Sequence, residues 1–391
     1  MTEDMRQKAR DAYSKAYGGP PECLAFAPGR VEILGNHTDY NGGYVLSVAL
    51  DLGIWIAAGR SPARPSAVEV WSQAMDQQVT IPLDAIRKER SWADYPRGVL
   101  LEMQRAGAPL GSARLAVLST LPIGAGVSSS AALELATAEA AHALFGGKPA
   151  QPMEEAKLCQ RAEVSFVGMP CGLLDQFSSL FGKKDHALFL DCATLRNMQV
   201  PLGRGDIRLV LADSGEKHAL VDGKYASLRR SCERAAAKFA DLLDHEVRFL
   251  RDVSLAEFQL HAELLESEDR PRAEHVIREN ERVLRGLAAI RSKHFPEVTR
   301  MMLESHASSR DLFGNSTPAL DYLVECGSQL PGFLGGKLCG GGFGGSTVNL
   351  VTRDQEEGFS RELSARFEKK FGRVPQRIAC GIGDGARSEK L

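Results

Sequence analysis

Residues Leu121–Ser130, LPIGAGVSSS, lie between a strand-like run, Arg114–Thr120 (RLAVLST), and a helix-like run, Ala131–Phe145 (AALELATAEAAHALF). A Gly/Ser loop that opens a helix is a natural seat for an anion. Its glycines let backbone approach closely, and the helix N-terminus offers unpaired N–H groups and the positive dipole end. Gly124, Ala125, Gly126, Val127, Ser128, Ser129 and Ser130 are therefore the candidate phosphate-binding residues. The serine hydroxyls can cap the helix or reach a phosphate-bound metal. The same residues would equally serve as a plain serine N-cap after a turn. No Gly-Lys-Ser/Thr follows, so this is not a Walker loop, and without a third glycine it is not a dinucleotide fingerprint. A phosphate site therefore needs partners elsewhere in the chain.

The rest of the chain restricts what those partners serve. At 391 residues, 43% hydrophobic and 25% charged, the composition is that of a globular protein of about two domains. The formal charge of −2, with acids and bases interspersed, lacks the basic stripe of a nucleic-acid binder. The eight cysteines are scattered singly, which argues against a disulfide scaffold or structural zinc and for small core residues in a reducing compartment. The charged start, MTEDMRQKARDAY, has no secretory core, and no apolar run is long enough to span a membrane. A cytoplasmic, monomeric chain acting on a small molecule, with no membrane or nucleic-acid partner, is the expectation.

Periodicity predicts a helix over 3–17, a strand over Cys23–Ala27 running into Pro28-Gly29-Arg30, and strands over Val45–Gly59 and Ala67–Trp71. Glu154–Gly168 reads as a helix broken at Gly168-Met169-Pro170. The pattern restarts at a strand over Ile207–Ala212, followed by helices near 224–244, 273–294 and 296–309. Two mixed α/β units, 1–205 and 206–391, with a site in the cleft between them, are expected.

Polar clusters punctuate this pattern. GRVEILGNHTDYNGG (29–43) gathers Arg30, Asn36, His37, Asp39, Tyr40 and Asn41 on a glycine-bounded loop. Short donors and acceptors at this density suit a polyhydroxylated ligand, and a surface turn is the plainer reading. Asp175 lies in the apolar stretch GLLDQF, where a carboxylate is costly without a partner or a task. It could be a helix N-cap; with an arginine in reach it would stay ionised and act as a base. Taken alone, Glu163 reads as a metal ligand or a solvated helix charge, and Tyr225 as a helix edge. GGGFGG (340–345) has too many glycines for a turn and suggests backbone packed on a ligand or on the first glycine loop.

Three stretches in order, PGRVEILGNHTDYNGG (28–43), LPIGAGVSSSAALELAT (121–137) and KLCGGGFGGSTVNL (337–350), resemble the motifs of the GHMP small-molecule kinases. The HTDYNGG element resembles the galactokinase branch. Lesser matches, including MPCGLLDQFSSLFG, HALVDGKYASLRRSC, AEHVIRENERV and TPALDYLV, extend the resemblance over nearly the whole chain. It implies an α/β (α+β) two-domain GHMP kinase fold, with ATP and sugar meeting in the cleft and the γ-phosphate passing to the C1 hydroxyl of galactose. By position, Asp175 resembles the catalytic base and Arg30 its partner. The loop Gly124–Ser130 would wrap the phosphates, and Ser130 and Glu163 would hold Mg²⁺. Asp39 and Tyr225 match sugar-contacting positions, His37 lies beside them, and Asn36 takes the position that contacts the C6 end of the sugar in the family.

Two residues depart from the family pattern. Asn36 stands where galactokinases usually carry Glu, and Ala226 where Asn is usual. The loss of a carboxylate at 36 makes a C6-altered sugar, galacturonate or L-arabinose, an alternative substrate. A non-catalytic sugar sensor is a further alternative, disfavoured by the presence of Asp175, Arg30 and an unbroken SSSAA. The HTDYNGG loop disfavours a mevalonate-type kinase.

Overall fold

The computed structural model describes residues 2–62, 66–122, 126–203, 205–216 and 221–391. Among the described residues, twelve strands form two sheets: β1 Cys23–Leu34, β2 Tyr44–Arg60, β3 Ala67–Ser72, β4 Gln77–Pro82, β5 Ala113–Ser119, β6 His186–Asp191, β7 Asn197–Pro201, β8 Ile207–Asp213, β9 Phe333–Leu338, β10 Ser346–Thr352, β11 Gln376–Cys380 and β12 Arg387–Lys390. The eight-stranded sheet runs β12-β1-β2-β5-β3-β4, with β6 branching from β2 and β7 from β6; the four-stranded sheet runs β11-β8-β10-β9. All described pairings are antiparallel except β3–β5. The chain leaves the first sheet after Pro201 and enters the second at Ile207. Its last strand then returns, pairing Arg387–Lys390 with Cys23–Phe26.

The helices are α1 Thr2–Tyr17, α2 Asp94–Arg105, α3 Ser129–Phe145, α4 Pro152–Arg161, α5 Leu174–Phe181, α6 Val221–Leu242, α7 Leu255–His261, α8 Asp269–Arg291, α9 Phe295–Ser308, α10 Pro318–Ser328 and α11 Glu356–Phe371. Side chains alternate across β1, so a strand covered on both faces is apolar throughout. Cys23, Ala25 and Ala27 join the main core with Ala132, Leu135 and Ala136 of α3. Leu24 and Phe26 join Ala9, Ala12 and Tyr13 of α1. Residues 131–142 of α3 are buried all round, as befits an alanine-rich helix carried in the interior. The eight cysteines are free, and six are buried.

Two expectations are corrected. The first strand does not stop at Ala27, because Pro28 is accommodated by a break in register between Pro28 and Arg30, and pairing then resumes. A Cβ on Gly29 would lie 2.7 Å from both Leu121 Cδ2 and the Val127 carbonyl, so glycine here lets Leu121 and Val127 close on the strand. The second correction is that α4 ends at Arg161. Ala162–Val167 is a π-helical turn, and Glu163 lies in it. A second π-helical turn, Ser309–Phe313, ends at Gly314. Among the described residues, no helix is long and apolar enough to cross a membrane.

Candidate active site

A cavity of about 570 Å³ is lined by Arg30, Glu32, Asn36, His37, Asp39, Gly126, Glu163, Cys171, Asp175, Tyr225, Ala226 and Gly340–Gly342, among others. Residues from all three motifs thus face one space. A second cavity, about 620 Å³, opens beside Trp55, Arg208 and Arg387 and holds none of the candidate site residues. Gly124 and Ala125 lie outside the described residues, as do residues 218–220 of the HALVDGKY run.

The register break in β1 precedes Arg30. Its Nε donates to Asp175 Oδ1 at 2.7 Å, its Nη2 lies 2.5 Å from the same oxygen, and its Nη1 donates to the Gly126 carbonyl at 2.9 Å. Asp175 is not the N-cap of α5, a place taken by Leu173; it lies in the first turn. Its other oxygen, Oδ2, accepts from Ser128 Oγ. Arg30 N–H donates to the Val127 carbonyl, and the Val127 side chain is buried in the core. Ser129 and Ser130 open α3, and Ser130 hydrogen-bonds Glu163.

Glu163 is buried rather than solvated. Gln176 Nε2 donates to it at 2.7 Å and to the buried Glu134 at 2.9 Å. Burial and then the nearby Asp175 charge raise the Glu163 pKa, and burial with the Glu163 charge raises that of Glu134. Among the described residues, Glu32, Asp39, Glu163 and Asp175 line the cavity together with Arg30, and Glu32 is paired with Lys337. A polyphosphate seated beside these carboxylates would be favoured by a bound cation. Oxygen donors from Ser130 and Glu163 suit a hard divalent ion, which takes few protein oxygens and completes its shell with phosphate and water. Among the described residues, no group of three or more His, Cys, Asp or Glu is placed to hold a metal ion by itself.

The 35–43 loop is pinned by α8, whose AEHVIRENERV stretch buries His275, Glu279, Asn280 and Arg282. Glu279 accepts from the N–H of Gly35 (3.0 Å) and Asn36 (3.2 Å), from Ser305 Oγ (2.6 Å) and from Arg282 Nε (2.6 Å). Burial opposes its charge, but Arg282, His275 and Lys337 outweigh that and hold its pKa well below the carboxylate range. Asn280 Oδ1 accepts from Tyr44 N–H, and His275 bonds the Asn36 carbonyl. Glu32 of the cavity lining forms a buried pair with Lys337 at 2.6 Å.

Asn36 is fully engaged by protein. Its Nδ2 donates to the Gly340 carbonyl at 3.0 Å and reaches Glu32 at 3.5 Å, while Oδ1 accepts from Ser309 and Asn315. His37, at φ 61°, contacts Tyr40 OH and Asn315, and its ring stands 5.3 Å from Tyr225. Burial, then the His275 charge, pushes its pKa down to about 3, so the ring is neutral. Asp39 is half-buried against Gly172, where any Cβ would collide with its carboxylate. Burial first, then Asp175, lifts its pKa to about 7. The glycine cluster packs on the first loop, as expected: a Cβ on Gly340 would lie 3.4 Å from the Gly126 carbonyl.

An arginine-held carboxylate, a helix start rich in hydroxyls, an acid–hydroxyl pair and a polar pocket wall make a site for moving a phosphoryl group onto a small polyol. Comparison with known proteins bears on the class. The galactokinase galactose-binding signature matches residues 11–60, the GHMP kinases N terminal domain 94–183 and the GHMP kinases C terminal domain 287–369. A galactokinase of Roseiflexus sp. (strain RS-1) is 38% identical over 377 residues, covering 96% of this chain and 95% of that protein. The Homo sapiens galactokinase is 38% identical over 98% of this chain and 96% of its own. The structure of Lactococcus lactis galactokinase complexed with galactose superposes with a TM-score of 0.92 at 28% identity, covering 99% of this chain and 100% of that one.

The chain belongs to the galactokinase family of the GHMP kinases.

Proposed function

We propose that this enzyme transfers the γ-phosphate of ATP to the C1 hydroxyl of galactose, giving galactose 1-phosphate and ADP. The observation that carries the reading is the Arg30–Asp175 pair, set between the phosphate loop and the polar 35–43 loop. In the transfer, the C1 oxygen bonds to the γ-phosphorus as the bond to the β,γ-bridging oxygen breaks. The hydroxyl proton passes to the Asp175 carboxylate, and ADP carries away the leaving charge. Arg30 pairs with the Asp175 carboxylate and offers positive charge to the phosphoryl oxygens. The loop Gly124–Ser130 and the N-terminus of α3 hold the phosphates. Ser130 and Glu163 would hold Mg²⁺, which when bound neutralises phosphate charge. Asp39 and Tyr225, with His37 and Asn36 behind them, orient the sugar. The catalytic cleft lies between lobes 1–205 and 206–391.

Free cysteines and dependence on ATP fit a cytoplasmic enzyme. Mg²⁺-dependent ADP release measured with galactose, N-acetylgalactosamine, galacturonate, L-arabinose, glucose and mannose tests the substrate assignment. Preferred turnover of galactose is the expected result. Preference for galacturonate or L-arabinose would replace the substrate, and no turnover with any sugar would leave a sensor.

A further inference from the structure

Ser128 occupies the N-cap position of α3, yet its hydroxyl caps nothing. The residue is held in the left-handed region, φ 55° and ψ 54°, which a serine adopts only at a cost that glycine avoids. What the hydroxyl does instead is donate to Asp175 Oδ2. The opposite oxygen, Oδ1, is already loaded by two Arg30 nitrogens, at 2.7 Å and 2.5 Å. A carboxylate oxygen has about two acceptor positions, so Oδ1 is full and Oδ2 has one to spare.

We infer that Ser128 is a positioning residue for the base rather than a phosphate ligand: it holds Asp175 so that Oδ2 is the oxygen that receives the sugar proton. This rests on Asp175 being the base. Arg30 fixes one side of the carboxylate and Ser128 the other, so the plane of the group cannot rotate about its last bond. Ser128 also belongs to the loop proposed to carry the phosphates, and Arg30 is tied to that loop through Gly126 and Val127. The position of the base is thereby set by the element that seats the donor.

The test compares Ser128→Ala and Ser128→Gly with the wild type, each alone and in an Asp175→Asn background, using galactose and Mg²⁺-ATP. Glycine takes the left-handed conformation freely, so a loss in that variant does not come from backbone strain. Losing a hydrogen bond to a charged group predicts a roughly 10- to 100-fold fall in kcat for both single variants. KM for ATP should stay at its wild-type value. In the Asp175→Asn background, neither Ser128 substitution should lower kcat further, because residues that act as a unit are non-additive. The same fold-loss in both backgrounds, or a loss carried by KM for ATP, would overturn the inference and make Ser128 a phosphate ligand. Full turnover by Asp175→Asn alone would instead refute the assignment of the base.

Discussion

Asp175→Asn separates the chemistry of this site from its architecture. The amide keeps the size and shape of the carboxylate, so Ser128 and Arg30 retain a neighbour, but it cannot take a proton. Loss of a general base costs roughly 10²- to 10⁴-fold in rate, or about 2.7 to 5.4 kcal/mol of barrier. Two effects on folding oppose each other. Arg30, 7% exposed, loses its counter-charge, and stranding one member of a buried pair costs about 3–5 kcal/mol. Against that, the Asp175 charge contributes to the raised pKa values of Asp39, Glu134 and Glu163, so its removal relieves all three. The net loss of stability should therefore be smaller than the full cost of stranding Arg30. The assay is initial-rate ADP release with saturating galactose, alongside calorimetric titration of Mg²⁺-ATP and a thermal melt. The expected result is a kcat lower by at least about 100-fold with nucleotide still bound and a cooperative melt. Turnover within about 10-fold of the wild type would refute Asp175 as base.

Arg30→Ala leaves Asp175 without its partner in an acid-lined cavity, so a stability loss of about 3–5 kcal/mol by urea titration and a fall mainly in kcat are expected. A pure rise in KM would reassign Arg30 to binding. Asp39 gives a pH signature: its pKa of about 7 exceeds the ordinary 3.8, so the folded chain binds the extra proton between those values. Its contribution to stability is therefore most favourable below that window and declines as pH rises through it, and Asp39→Asn should abolish that slope in melts taken across it. Because a charged carboxylate is the stronger acceptor for sugar hydroxyls, KM for galactose should fall as pH rises through about 7, and stay flat in Asp39→Asn. Asn36→Glu should cost about 1–3 kcal/mol, since a carboxylate would face the Gly340 carbonyl and Glu32 where Nδ2 now donates. Galactose should remain its preferred sugar; a switch of preference in the sugar panel would show that residue 36 reads the C6 end.

The parts of this site that are legible in the sequence are those whose function is local. A glycine–serine loop before an alanine-rich helix, or an aspartate among leucines, can be recognised within about ten residues because the backbone and burial rules act at that range. The supporting polar groups are of another kind. Glu279, His275 and Arg282 follow helical spacing on α8 and read as a solvated face, yet Glu279 bonds backbone 244 residues away in sequence. Only tertiary closure tells a solvated charge from a buried one. The same holds for β12, whose RSEK has no apolar pattern; it is a strand because β1 offers it an edge. The extension of β1 past Pro28 and the π-helical turn carrying Glu163 fail differently, since both break the period from which elements are read. Each break lies next to a side chain that lines the cavity, Arg30 in one case and Glu163 in the other. A regular strand or helix presents its residues at fixed intervals. Bringing a guanidinium, two carboxylates and a helix start to one point needs an interval that neither provides. These two irregularities therefore hide from periodicity residues whose motifs are easy to recognise.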